Sequence, residues 1–281
     1  MKEISVADYL AKFFYENDIK YIFFIPVIGV KLLKALEKYK IKKIIPHSEK
    51  AAAYMADGYA RIRNKPSVCM SQSVGSFNLA SGLQDAYLAA SPVIAITGRR
   101  PPHEQFRNAY QEIDHSNLFS VVTKYSTFMN SPDFVPSTIN NAFRVSTSNC
   151  PGPVHIDIPG FTGHGLNKMI FNDSGKNYNS YSIPYKRTNP SETDIEEFFK
   201  LLKKAKKPLF IAGGGTLKSN SGEILQKVIE KYRIPLISTN NGKGIINEDH
   251  DLYFGVVGQY SRESANLILS NSDFLVYLGS K

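Results

Sequence analysis

Tryptophan is missing altogether from the 281 residues, and cysteine occurs only twice, at Cys69 and Cys150. The two thiols form no CxxC pair and no framework, which excludes a disulfide scaffold and a cysteine metal site. A reducing compartment, the cytoplasm, is the expectation. Long apolar runs are lacking too: YIFFIPVIGV is ten residues long, short of the roughly 20 that a membrane span needs. The opening MKEISVADYL carries acidic residues and no apolar core of a signal peptide, so neither a signal nor a membrane span is expected. Acidic residues are in deficit, 25 Asp and Glu against 34 Lys and Arg, for a formal charge of +9. The surplus sits in KYKIKK and KKAKK runs without interleaved aromatics, the pattern of a solvated surface and not of a nucleic-acid stripe.

Known catalytic spacings are scarce. No GxSxG elbow accompanies a serine, which leaves a hydrolase triad unsupported. His47, His103, His115, His155, His164 and His250 show no HxxxH and no cysteine partner, and are expected at the surface or at strand ends.

What is present is a two-domain amount of apolar chain, 42% hydrophobic and 12% aromatic. Strand-like and helix-like segments alternate: helix Val6 to Asn17, strand Tyr21 to Val27, helix Val30 to Tyr39, then a short buried strand closing at Ile44, Ile45 and Pro46. A small-residue helix follows through Ala51, Ala52, Ala53, Met55, Ala56 and Ala60. Next come a strand Ser67 to Gln72, a helix Asn78 to Ala90, a strand Pro92 to Thr97, a partly strand-like run Phe119 to Met129, a helix Phe134 to Ser148 and a strand Val154 to Ile158. Continuous apolar strands separated by helices imply a parallel sheet covered on both faces. The fold class is α/β, with doubly wound parallel sheets in two domains. Residues 1–162 form the first, 163–189 a linker rich in Asn, Ser, Gly, Lys and Tyr, and 190–281 a second domain that ends partway through its sheet. In the second domain Ser191 can cap a helix, and strands are expected at PLFIA, Pro235 to Ser238 and Phe274 to Leu278, the last an exposed apolar edge.

Two local features bear on chemistry. Glu49 stands where a strand turns into a helix, at the carboxyl ends of the strands where such sheets bind ligands. A helix-start carboxylate favoured by the dipole and a working acid/base both fit that position. Gly213, Gly214 and Gly215 follow a buried strand, and suit either a plain strand-to-helix turn or the close approach of a diphosphate.

The blocks SEKAAAYMADGYAR, KPSVCMSQSVGSFNLASGLQDAYLAASPVIAITG, AYQEIDHSNLFSVVTKYS and PGPVHIDIP together resemble the pyrimidine-binding domain of thiamine diphosphate enzymes of the acetolactate synthase type. AKKPLFIAGGG and the run from IPLISTNNGKG to FLVYLGS are similar to the central domain of the same enzymes. The resemblance implies decarboxylation of a 2-keto acid, pyruvate above all, and carboligation to a second keto acid. It implies that Glu49 hydrogen-bonds the aminopyrimidine ring nitrogen and promotes loss of the thiazolium proton. Pro26, Ser73, Gly75 and Asn78 match the loops lining the pyrimidine, Gln111 matches an active-site glutamine, and Lys124 matches a lysine lining the approach, or is an exposed strand-end cation. Gly213 to Gly215 match a stretch that touches FAD in some members, while others keep the fold without flavin.

The chain also departs from the family pattern. SVGSFN is one residue shorter than SGPGATN, Phe24 and Val27 replace glycines beside Pro26, Ser48 stands in place of a histidine, and GFTGHG follows HIDIP where an acidic residue is usual. Nothing matches the GDG…N motif that holds Mg2+ and the diphosphate. The resemblance therefore implies a homo-oligomer, dimer or tetramer, or a complementary chain carrying the diphosphate domain. A 2-keto acid decarboxylase, an oxalyl-CoA decarboxylase and a non-catalytic binding or regulatory subunit are the alternatives.

Overall fold

The computed structural model describes residues 2–168, 170–173, 181, 183 and 188–281, which fall into two compact units, Met1–Lys186 and Arg187–Lys281. Within the stretch expected to be a linker, residues 169, 174–180, 182 and 184–187 lie outside the described residues.

The first unit runs β1 (Lys2–Ser5), α1 (Val6–Glu16), β2 (Tyr21–Phe24), α2 (Val30–Glu37), β3 (Lys42–Ile44), α3 (Glu49–Arg63), β4 (Ser67–Ser71), α4 (Ser76–Leu88), β5 (Val93–Arg99), α5 (Ser116–Ser120), β6 (Ser126–Phe128), α6 (Val135–Thr147), β7 (Val154–Pro159) and β8 (Ile170–Asp173). Six of these strands form one sheet in the order β3-β2-β4-β5-β7-β6, and every pairing in it is parallel. Successive residues point to opposite faces, so each central strand feeds two cores. Ile22, Phe24, Val68, Met70, Ile94 and Ile96 pack with the apolar faces of α1, α2 and α6. Phe23, Cys69, Val93 and Ala95 pack on the other face with α3, α4 and Phe119.

That second core is made of small residues. Ala52, Ala53, Ala56 and Ala60 of α3 face Leu79, Ala80, Leu83 and Ala86 of α4. A β-carbon at Gly82 would lie 2.7 Å from both Ala53 Cβ and the Lys50 carbonyl oxygen, so the two helices touch nearly backbone to backbone.

Two expectations from the sequence need correction. The strand before Glu49 is not buried: β3 is an edge strand whose lysines are exposed, and Ile45 beyond it is 60% exposed. The run Phe119 to Met129 is strand in part, as expected: Ser126–Phe128 pair in the sheet, while Phe119 belongs to α5. The expected linker is partly ordered chain, since β8 pairs antiparallel with β1, Ser5 opposite Ile170.

The second unit holds α7 (Glu192–Lys204), β9 (Pro208–Ala212), α8 (Gly214–Lys218), α9 (Gly222–Tyr232), β10 (Leu236–Ser238), β11 (Tyr253–Val256), α10 (Glu263–Ser270) and β12 (Phe274–Leu278). Its parallel sheet is ordered β11-β10-β9-β12, with β12 at an edge and Tyr277 62% exposed. Ser191 caps α7, its hydroxyl accepting from the Asp194 N–H at 3.1 Å. Alternate residues again divide between two cores, Phe210 and Ala212 toward α9, Leu209 and Ile211 toward α10.

Candidate active site

At the carboxyl end of the six-stranded sheet the loops after β2, β4, β5 and β7 are tied together by backbone bonds. The Ser73 N–H donates to the Phe161 carbonyl at 2.8 Å, and the Gly29 N–H to the Thr162 carbonyl at 2.8 Å. A side chain at Gly98 would collide with the Phe161 carbonyl. This bound cluster is a rigid floor.

Glu49 is the first residue of α3. Ser48 caps that helix, its hydroxyl accepting from the Ala51 N–H at 3.1 Å. The serine that stands in place of a histidine thus has a structural task. Glu49 Oε2 accepts from the Asn78 side-chain amide at 3.1 Å. Gly75, the residue before α4, leaves the room that this carboxylate occupies: a β-carbon there would sit 2.5 Å from Oε1 and 2.8 Å from Cδ and Cγ. Gly75 has φ −72° and ψ −9°, a conformation open to any residue, so it is the close approach that requires glycine. Among the described residues Oε1 takes no hydrogen bond, and it is the oxygen left to meet a ligand.

Ser73 is fully buried, and its hydroxyl donates to the Gln111 carbonyl at 2.8 Å. Gln111 adopts the left-handed φ of +59°, and its side-chain oxygen is buried without a hydrogen-bond partner. A buried amide oxygen with nothing to accept from costs about 1–3 kcal/mol. Pro26 is exposed in the bend after β2, and Val27 beside it takes φ +74° while 61% exposed. The loop keeps a backbone shape suited to glycine although a β-branched residue occupies it, a strain of about 1–2 kcal/mol.

The remaining sequence candidates lie elsewhere. The Lys124 ammonium donates to the carbonyls of Val145, Ser148 and Cys150 at 2.7, 2.8 and 2.8 Å, closing the end of α6, and desolvation there lowers its pKa. Gly213, Gly214 and Gly215 belong to the second unit, where Gly213 and Gly215 make room for the chain beyond β12 and Gly214 lies against Asn241. The Gly213 N–H donates to the Leu278 carbonyl and the Gly215 N–H to the Gly279 carbonyl, both at 2.8 Å, and a β-carbon at Gly215 would lie 2.8 Å from Gly279 Cα. Two of the three N–H groups that would cradle a diphosphate are therefore engaged.

The sequence reading missed a buried polar cluster beneath Ser73. His115 and His155, expected at the surface or at strand ends, are fully buried, and Asp157 beside them is 2% exposed. His115 Nδ1 meets Asp157 Oδ1 at 2.7 Å, and the His155 ring stacks on Phe119 with centroids 3.6 Å apart. Burial, chiefly, pushes the His155 pKa down to about 4, against the attraction of Asp157. The ligand atoms of the three residues lie within 4.8 Å of one another. The Thr97 hydroxyl, however, sits among them, 2.5 Å from Asp157 Oδ1, 2.7 Å from His155 Nε2 and 3.3 Å from His115 Nδ1. It fills the place an ion would take, and the cluster is a hydrogen-bond network. Its only sequence signal is register, which sets Thr97 opposite Asp157 and Ser126 opposite His155.

The arrangement fits an aminopyrimidine on three counts: a carboxylate with one free oxygen, a glycine cradle beside it and an orphaned amide oxygen. Comparison with known proteins points the same way. Residues 4–118 match the thiamine pyrophosphate enzyme N-terminal TPP binding domain, and residues 195–281 match the thiamine pyrophosphate enzyme central domain. The chain is 35% identical over 256 residues to a probable acetolactate synthase large subunit of Methanocaldococcus jannaschii, covering 88% of this chain and 42% of that protein. It is 34% identical over 253 residues to an acetolactate synthase of Arthrospira platensis, with 89% and 43% covered. It is 32% identical over 242 residues to the acetolactate synthase large subunit of Lactococcus lactis subsp. lactis, with 86% and 41% covered. The chain thus spans about two fifths of the length of these relatives. No helix among the described residues is long and apolar enough to cross a membrane.

Proposed function

Because the chain belongs to the thiamine pyrophosphate enzymes, we propose that it supplies the pyrimidine-binding half of a thiamine diphosphate site acting on 2-keto acids, with pyruvate decarboxylation and carboligation as the reaction. The observation that carries this reading is the Glu49 carboxylate held between Asn78 and Gly75 with one oxygen free. When bound, thiamine diphosphate supplies a nucleophilic carbon that adds to a keto-acid carbonyl and accommodates the electron pair released with CO2.

This chain's residues bind and handle protons. Glu49 exchanges a proton with the aminopyrimidine ring nitrogen through Oε1, while Asn78 fixes the other oxygen and so the direction in which the first points. Gly75 leaves the space in which the Glu49 carboxylate lies, and the Pro26 loop would border the ring. Gln111 offers its unpartnered side-chain oxygen to the cofactor or the substrate. Mg2+ and the diphosphate are assigned to residues outside these 281, on a longer chain or a complementary one. FAD is left as an optional ligand, since the Gly213 and Gly215 N–H groups are already bonded within the chain.

The chain functions as an oligomer in this reading. Tyr54, Met55, Ile62, Phe77 and Leu88 of α3 and α4 are 42 to 89% exposed, an apolar surface that a second subunit would cover. The deciding assay feeds pyruvate, thiamine diphosphate and Mg2+ to the protein as isolated from its native source and follows the products. Acetolactate supports the proposal, aldehyde with CO2 alone supports the simple decarboxylase, and no turnover supports the non-catalytic subunit.

A further inference from the structure

Hydrogen counting in the cluster beneath the site assigns a role to His115. Ser73 has one hydroxyl hydrogen, and the Gln111 carbonyl, which can only accept, lies 2.8 Å from it. His115 Nε2, 3.2 Å from the same hydroxyl oxygen, must then be the donor in that contact. On the other side of the ring Nδ1 approaches Asp157 Oδ1 to 2.7 Å, which two lone pairs would not tolerate, so a hydrogen lies there as well.

The rest of the cluster follows, with the Thr97 oxygen also 3.3 Å from His115 Nδ1. Thr97 donates to Asp157 Oδ1 at 2.5 Å and accepts from His155 Nε2 at 2.7 Å, which leaves His155 Nδ1 to accept from the Ser126 hydroxyl at 2.8 Å. That requires a neutral His155, in keeping with the lowered pKa of this buried ring. The titratable and charged groups around His115 are Asp157 and His155 of β7, Asp114 next to it in the chain, and Arg99 of β5, whose guanidinium pairs with Asp114 at 3.0 Å.

We propose that His115 is a positioning residue: protonated on both nitrogens and paired with Asp157, it holds the Ser73 hydroxyl, which in turn clamps the Gln111 turn onto the loop that carries Gly75 and leads into α4, where Asn78 lies. The turn needs a clamp, because Gln111 sits at φ +59° and Asn108 and Phe106 before it are also left-handed, at +52° and +64°. A neutral His115 would draw the Ser73 hydrogen to Nε2 and release the Gln111 carbonyl. The clamp itself is independent of the reaction, whereas its consequence for turnover rests on the thiamine diphosphate reading.

The test is long-range proton–nitrogen NMR on protein labelled at histidine, recorded at neutral pH. His115 should show two protonated nitrogens with a far-downfield Nδ1 proton, and His155 only a protonated Nε2. An unprotonated nitrogen on His115 overturns the proposal. Ser73→Ala then removes the link while leaving the His115 signature in place. Amide hydrogen exchange at residues 109–113 should rise about tenfold, the equivalent of one hydrogen bond, and unchanged exchange overturns the clamp. If signature and exchange behave as expected while turnover ignores Ser73→Ala, the clamp stands and the assignment of Gln111 to catalysis fails.

Discussion

Replacing Gly75 by alanine isolates the geometry of the Glu49 site from the stability of the fold. The added methyl would start 2.5 Å from Glu49 Oε1 and 2.8 Å from Cδ. Comfortable contact needs about 3.5 Å, so the carboxylate has to retreat by about 1 Å. The backbone does not resist the change, since φ −72° and ψ −9° suit alanine, and losing a glycine stabilises by about 0.4–1 kcal/mol through the unfolded chain. Retreat breaks the bond from Asn78, at a cost of about 0.5–1.5 kcal/mol. The two effects nearly cancel, and urea unfolding should place Gly75→Ala within about 1 kcal/mol of the parent. Function should not be spared: a group misplaced by about 1 Å loses about 10²-fold in rate. The assay pairs urea melts with a thiamine diphosphate titration of turnover. A variant that keeps full activity, or one that loses more than about 2 kcal/mol of stability, refutes the reasoning.

Gly82→Ala should behave in the opposite way, because its methyl meets the Lys50 carbonyl and Ala53 Cβ at 2.7 Å and neither can swing aside; a loss of about 1–3 kcal/mol in the same urea melts is expected. Acid should weaken the fold through His155. Its folded pKa of about 4 lies below the ordinary histidine value of about 6.5, so the unfolded chain takes up the proton first. Stability is complete above pH 6.5 and falls by about 3 kcal/mol as pH drops toward 4, a loss that His155→Gln should remove from a pH series of melts. Thiol labelling should stop at one equivalent in the folded chain: Cys150 is exposed, whereas Cys69 is buried and its thiol pKa is pushed up by desolvation, so the second equivalent reacts only on unfolding.

The central strands were legible because burial on both faces leaves little choice of residue. SVCMS and VIAITG read as strands and are strands β4 and β5. An edge strand has no such constraint, and KKI with its exposed lysines ends at Ile44, two residues short of the strand end read at Pro46. The pairing of β1 with β8 depends on a partner about 170 residues away, which no local pattern announces. At the site, Glu49, Gly75 and Asn78 came from blocks of contiguous sequence, and the fold brings these three into contact. The cluster of His115, Thr97, His155 and Asp157 did not, because Thr97, His155 and Asp157 meet through the register of β5 and β7, and His115 joins them from the chain just before α5. Lys124, for which the sequence leaves open a lysine lining the approach and an exposed strand-end cation, closes a helix end by three carbonyl bonds.

The most direct test of the account is the rate at which the thiazolium C2 proton of bound thiamine diphosphate exchanges with deuterated water, measured by quenched-flow NMR on the enzyme as isolated and on Glu49→Gln. If Oε1 of Glu49 handles the aminopyrimidine proton, the substitution should slow exchange by about 10² to 10⁴-fold while the fold melts normally. Exchange that proceeds at the parental rate in Glu49→Gln would contradict the assignment of this carboxylate, and with it the reading of the site.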